Sequence, residues 1–138
     1  MNVRVLIAAL IGAVVSFFLG WLIYAKLVAD FYAAHSLHYP FLMYAEPNLI
    51  GIFISGFAGT LLLAIIFNKW AKITTLAEGA IAGSWIYLLI AISLDVYMWS
   101  TMYLLGKRVV IADIVINAVM GAIIGAIIAW VLGYKKSE

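Results

Sequence analysis

Asp95 is the side chain in this sequence best placed to do chemistry. It is an acid near the middle of Ser84–Leu105, a stretch otherwise made almost wholly of apolar, aromatic and small residues. A carboxyl group in such a run costs about 2.5–3.5 kcal/mol to insert into a membrane, so it is expected to face protein or water rather than lipid. Asn117, in the next apolar run, offers an amide N–H to a carboxylate or its carbonyl to a protonated acid. Counting back from the Gly106–Arg108 turn at about 1.5 Å per residue puts Asp95 and Asn117 at one level of an antiparallel hairpin. Asp113 lies one turn further out on the Asn117 face, and Tyr24 reaches the same region from the first apolar run. Asp95, Asn117, Tyr24 and Asp113 thus form a candidate intramembrane polar cluster, with Trp21 and Trp99 expected to wall it.

Three chemistries fit Asp95. It is a structural acid, neutral and hydrogen-bonded to Asn117 or Ser93; or it titrates in a proton or ion pathway; or it anchors a cationic or polar ligand. Asp113 reads as the charged end of a helix beside Lys107 and Arg108. The pair His35-x-x-His38, with Asp30 and Glu46 nearby, has side chains of ligand type, but a zinc site needs three or four such groups in tetrahedral array. No metal and no cofactor are therefore expected. The chain has no Cys, which excludes disulfides, thiolate metal sites and a Cys nucleophile. It also has no Ser/His/Asp arrangement, HExxH, P-loop or GxGxxG, so it is not expected to be an enzyme.

Composition dictates the elements that must position these groups. The sequence is 68% hydrophobic and 10% charged, against about 25% charged in soluble proteins. Mean hydropathy is +1.20. Four apolar runs, over residues 5–25, 49–67, 79–105 and 109–132, come near or above the roughly 20 residues that cross a bilayer. They do not alternate as barrel strands would, so helices are expected. Pro47 and Asn48 suit the start of the second helix, Thr74 or Thr75 with Glu78 the start of the third, and Gly106 the turn into the fourth. The first run is longer than a signal-peptide core and reads as an uncleaved span.

The net charge of +2 is small, and the basic residues sit at the ends of runs. That pattern carries orientation and no nucleic-acid footprint. Arg4, Lys69, Lys72, Lys135 and Lys136 fall on one side, Lys26, Lys107 and Arg108 on the other, so both termini are expected in the cytoplasm. The connection over residues 26–46 then faces outward. Phe31, Tyr32, Tyr39, Phe41 and Tyr44 suit it to the headgroup layer. The first helix is expected to continue to about Ala34.

Small residues recur every fourth position. Gly12, Ser16 and Gly20 form one such row; Gly56, Thr60 and Ala64 form another, with Ser55 and Gly59 beside it. Gly79 and Gly83 follow, then Gly121 and Gly125. Without a hydrophobic drive in lipid, close approach over small residues brings helices together. The rows serve packing within the chain or a dimer face, and Gly121–Gly125 is the best dimer candidate.

The opening Phe17-Phe18-Leu19-Gly20-Trp21-Leu22-Ile23-Tyr24, the four runs, the outward segment and the acid in the third run cover nearly the whole chain. This layout resembles the small bacterial four-span proteins grouped as domain of unknown function 1761. The family's closely spaced Trp-Tyr is spread here as Trp21 and Tyr24. The resemblance implies architecture alone, because that family has no established activity.

The expectation is one domain over residues 1–138: an all-α integral membrane four-helix bundle in a bacterial inner membrane, with an interfacial segment between helices one and two. Its expected partners are the lipid bilayer and either itself or a larger membrane complex, which it serves as a structural or accessory component through helix packing. The alternative is a small proton-coupled transporter or ion pathway centred on Asp95.

Overall fold

Long apolar segments satisfy their backbone polar groups most simply by winding into helices. The computed structural model describes residues 2–134, and these form five helices. Helix α1 runs over Val3–Leu22 and widens into a π-helical turn, Ile23–Leu27. A short α2, Ala29–His35, follows Val28. Helix α3 covers Leu49–Ile65 and widens in the same way over Ile66–Ala71. Helices α4, Leu76–Thr101, and α5, Lys107–Gly133, complete the chain. Counting the π turns, four helices are long and apolar enough to cross a membrane.

Local chemistry sets the boundaries. Asn48 Oδ1 accepts from the Gly51 N–H at 3.0 Å and starts α3. Thr75 rather than Thr74 starts α4, accepting from the Glu78 N–H at 3.3 Å while its hydroxyl donates to Glu78 Oε2 at 2.9 Å. This reciprocal cap begins α4 three residues before the predicted Gly79. The same helix stops at Thr101, short of the predicted Leu105. Beyond it, Leu104 and Leu105 pair with the segment leaving α2, through an antiparallel bridge between Ser36 and Leu105 and a 3.1 Å bond from the Leu37 N–H to the Leu104 carbonyl. The first two apolar runs outlast their predicted ends because π turns carry them to Leu27 and Ala71. Helix one continues past Ala25 as expected, but breaks at Val28 before resuming as α2. Lys135 and Lys136 lie outside the described residues.

The helices pack as a row. α4 makes its one extensive contact with α5, α5 lies against α1, and α1 lies against α3, with lighter contact between α3 and α5. A cleft of about 310 Å³ remains between α3 and α4, floored by residues of α1 and α5.

Glycine makes the α4–α5 seam. A Cβ on Gly79 or Gly83 would collide with the carbonyl of Gly125 or Gly121, and the reverse substitutions would collide equally. The two backbones are in direct contact. Gly121 and Gly125, the candidate dimer face, are thus occupied within the chain. Gly12 admits Ile128 in the same way, since a Cβ there would stand only 3.0 Å from that side chain. Around this seam the half of the bundle nearest the termini is filled by Val5, Leu63, Phe67, Ile124, Ile128 and Leu132, each almost fully buried. Its one buried hydroxyl, Thr60, donates to the Ala9 carbonyl at 2.8 Å and so joins α3 to α1.

Candidate functional site

Polar chemistry gathers at the opposite end, under α2. The π turn at Ile23–Leu27 carries Tyr24 over α5, and α2 then folds back above it. Gly106 permits that return: a Cβ there would sit 2.7 Å from the His35 carbonyl oxygen. Both tyrosines converge on Asp113. Tyr24 donates to Asp113 Oδ1 at 2.8 Å and Tyr32 donates to the same oxygen at 2.6 Å, with the two rings edge to face and their centroids 5.7 Å apart. Asn117, one turn along α5, donates through Nδ2 to Asp113 Oδ2 at 2.8 Å and to the Asp113 carbonyl at 2.9 Å. The same nitrogen lies 3.3 Å from the Tyr24 hydroxyl. In all but the last of these contacts Asp113 is the acceptor.

Asp95 completes the group from α4 in an unequal position. It is 9% exposed, its carboxyl group neighbours and interacts with that of Asp113, and its buried Oδ2 receives no hydrogen bond. The expected bonds to Asn117 and Ser93 are not formed. Asn117 gives its amide to Asp113 and Tyr24, and Ser93 is exposed on another face of α4. The boundary shift explains the change of partner. With α4 ending at Thr101 and α5 beginning at Lys107, Asp95 and Asp113 each lie about 9 Å from the turn, at the rise of an α-helix. Asp113, not Asn117, is level with Asp95.

Two further expectations change, and the histidine pair is placed. Asp113 is half-buried at the centre of the cluster rather than paired with Lys107 or Arg108. Trp21 and Trp99 do not wall the site; they are exposed and carry the ammonium groups of Lys26 and Lys107 at 5.4 and 5.6 Å from their ring centroids. His35 turns its Nδ1 to the Phe31 carbonyl at 2.8 Å while His38 is exposed, and no metal-binding group of three His, Cys, Asp or Glu exists among the described residues.

Tyr32 is the residue that sequence reasoning misses, because it stands among aromatics suited to the surface. A signal for it is nonetheless present. Ala29, Tyr32, Ala33 and Ser36 follow helical spacing and together line a cavity of about 510 Å³ that also reaches Tyr24. Burial and the Asp113 carboxyl hold the Tyr32 phenol well above its ordinary range, so it remains a hydrogen-bond donor. The site therefore combines two neighbouring acids, two phenols and an amide; its phenols border the cavity under α2, and Tyr24 and Asn117 border the cleft beside α3.

Fold and site define an all-helical chain with four helices able to cross a membrane and an acid pair under its short second helix. No family model, no curated protein and no solved structure matches it.

Proposed function

We propose that this protein is an accessory component of a bacterial inner membrane, inserted as an open four-helix bundle and acting by lateral packing against a transmembrane helix of another chain. One observation carries the reading: nothing lies within 4 Å of the position a Cβ would take on Gly59. Ser55, Gly56 and Gly59 line the α3 side of the cleft facing α4. Small residues permit helices to approach within a bilayer, and among the described residues the Gly59 position has no neighbour, whereas Gly56 turns towards Ser16 of α1. The occupant we assign is therefore a helix, a second copy or a larger complex supplying it.

The orientation belongs to the same proposal. Arg4, Lys69 and Lys72 gather at the end of the bundle that we place in the cytoplasm. The α2 end bears Phe41, Met43, Tyr44 and Tyr103, all strongly exposed, with Lys26 and Lys107 over tryptophan rings. Aromatic rings with cations at their edge suit a headgroup layer. The layout keeps its likeness to the four-span proteins of domain of unknown function 1761, which bears on architecture only.

Because the chain lacks Cys, a single Gly59→Cys substitution gives an unambiguous crosslink. In native membranes it should trap a partner helix, while a Cys at exposed Ile81 should not. Trapping at neither position, or equally at both, refutes the lateral interface. Reporter fusions after Glu138 and at Lys107 test the orientation, and an external signal at Glu138 reverses it.

A second reading, a proton or ion pathway centred on Asp95, is favoured by the unpartnered Asp95 Oδ2. Against conduction through one chain stands the apolar filling by Met120, Ile124 and Ile128 below Asn117.

A further inference from the structure

We infer that Asp95 and Asp113 form one proton-binding site, an acid pair that holds a single proton between its carboxyl groups and exchanges it through Tyr32 at the α2 face. This site does not depend on whether α3 is an interface.

Donors are unequally distributed between the two acids. Asp113 receives two phenol hydroxyls and an amide, whereas the buried Asp95 Oδ2 receives nothing. A buried acceptor without a donor costs about 1–3 kcal/mol, more if it is charged. Two carboxylates this close also repel each other, and neighbouring acids commonly resolve this by sharing one proton. Asp95 as the O–H donor to Asp113 removes the repulsion and places the remaining charge on the carboxylate that already has three donors.

Among the described residues no cation faces the pair. From α1 the cluster is faced by Tyr24, from α2 by Tyr32 and from α5 by Asp113; α3 presents only apolar and small side chains to the adjoining cleft. Lys26 and Lys107 lie over Trp21 and Trp99, and the Arg108 guanidinium stands 3.5 Å from His35 Nε2. A larger cation finds less room, because neither acid lines the cavity beneath α2.

Access runs through Tyr32. Its ring borders the 510 Å³ cavity and its hydroxyl meets Asp113 Oδ1. A proton from water in the cavity reaches the phenol oxygen as the phenol passes its own to Asp113, and the phenol ends as it began. The proton then lies between Asp113 and Asp95. Below Asn117 the core is filled by Ile124 and Ile128, while beside it Tyr24 and Asn117 border the 310 Å³ cleft, whose remaining lining is mostly apolar and small.

The test is infrared spectroscopy of the full chain in phosphatidylcholine vesicles at neutral pH. The wild type should show a protonated-carboxyl C=O band that shifts when aspartate carbons are labelled with carbon-13, a readout that needs no substitution. The band should be lost in both Asp95→Asn and Asp113→Asn, and should be indifferent to replacing potassium by sodium. In deuterium oxide, Tyr32→Phe should slow its isotope shift by about tenfold or more. Absence of a labelled band, its persistence in both Asn variants, or its disappearance on adding sodium overturns the acid pair. An unchanged exchange rate in Tyr32→Phe overturns the route.

Discussion

Two faces of small residues meet opposite fates in this molecule. Gly79 and Gly83 on α4 close against Gly121 and Gly125 on α5 until backbone touches backbone. Ser55 and Gly59 on α3 border an open cleft, with empty space where a Gly59 side chain would stand. In sequence both are small residues four apart in apolar helices. The short Gly106 turn separates them, because it forces α4 and α5 to lie side by side, whereas α3 reaches α4 only through the turn at the other end and leans on α1 instead. Small spacing licenses close approach; connectivity decides whether the neighbour comes from the same chain.

Breaking the closed face should have the largest effect. Gly121→Val drives a branched side chain into the Gly83 carbonyl and the Tyr87 ring. Overpacking a core costs about 1–3 kcal/mol when side chains can yield, and here backbone must move, so the loss should exceed about 3 kcal/mol. Unfolding of the variant in detergent should begin well before the wild type. Stability within about 0.5 kcal/mol of the wild type would show that the two backbones are not held in contact.

The open face should respond in the opposite way. A Cβ at Gly59 meets no atom within 4 Å and an Ile side chain extends from it into the open cleft, so in Gly59→Ile the fold should survive with little change in stability. Lateral association in bilayers should fall about tenfold, or about 1.4 kcal/mol, because the branched chain holds a partner helix away. Energy transfer between labelled copies, or recovery of the Gly59→Cys crosslink, measures this. A variant that unfolds would erase the contrast between the two faces.

The same difference explains how much is legible in the sequence. Four helices, a start at Asn48, another at Thr74 or Thr75 and the presence of Asp95 as an acid within an apolar run follow from local pattern, since apolar length, turn residues and acids in apolar runs are local facts. The partner of Asp95 is not legible. It depends on where α4 ends, and that end is fixed by pairing of Leu104 and Leu105 with residues almost seventy positions earlier, a tertiary choice that hydropathy does not record. Tyr24 can be found because it lies on a helical row. Tyr32 escapes because aromatic rings in an outward segment have a simpler use at an interface.

Tyr32→Phe sharpens the distinction between the polar end and the packed end. It removes one donor to Asp113 and should cost about 1–2 kcal/mol. The sign with pH is set by the raised phenol: the folded protein holds this proton more tightly than the unfolded chain. Its stabilisation is therefore complete below the ordinary phenol value of about 10 and fades as pH rises beyond it. Wild type and variant should differ at neutral pH and converge in strong alkali. A constant difference across that range would show that burial and Asp113 together do not hold the phenol proton in the folded protein.

Thr60 supplies the smallest and most exacting test, because it stands on the closed row of α3 while Gly59 beside it stands on the open one. Its hydroxyl donates to the Ala9 carbonyl at 2.8 Å and lies 3.1 Å from the Phe57 carbonyl of its own helix. Thr60→Val keeps the branched shape and the fit against Gly12, so only the hydrogen bond is lost. Hydrogen bonds between transmembrane helices average about 0.6 kcal/mol and reach about 1.7, since the separated helices find other partners. The second acceptor on its own helix places Thr60 at the low end. A loss of about 0.6 kcal/mol with the Gly59→Cys crosslink intact means that α1 holds α3 by fit, and that the open row is displayed by a helix already secured on its other side. A loss above about 2 kcal/mol, or disappearance of the crosslink, would mean that one hydroxyl orients α3, making the open face a consequence of that bond rather than of the packed row.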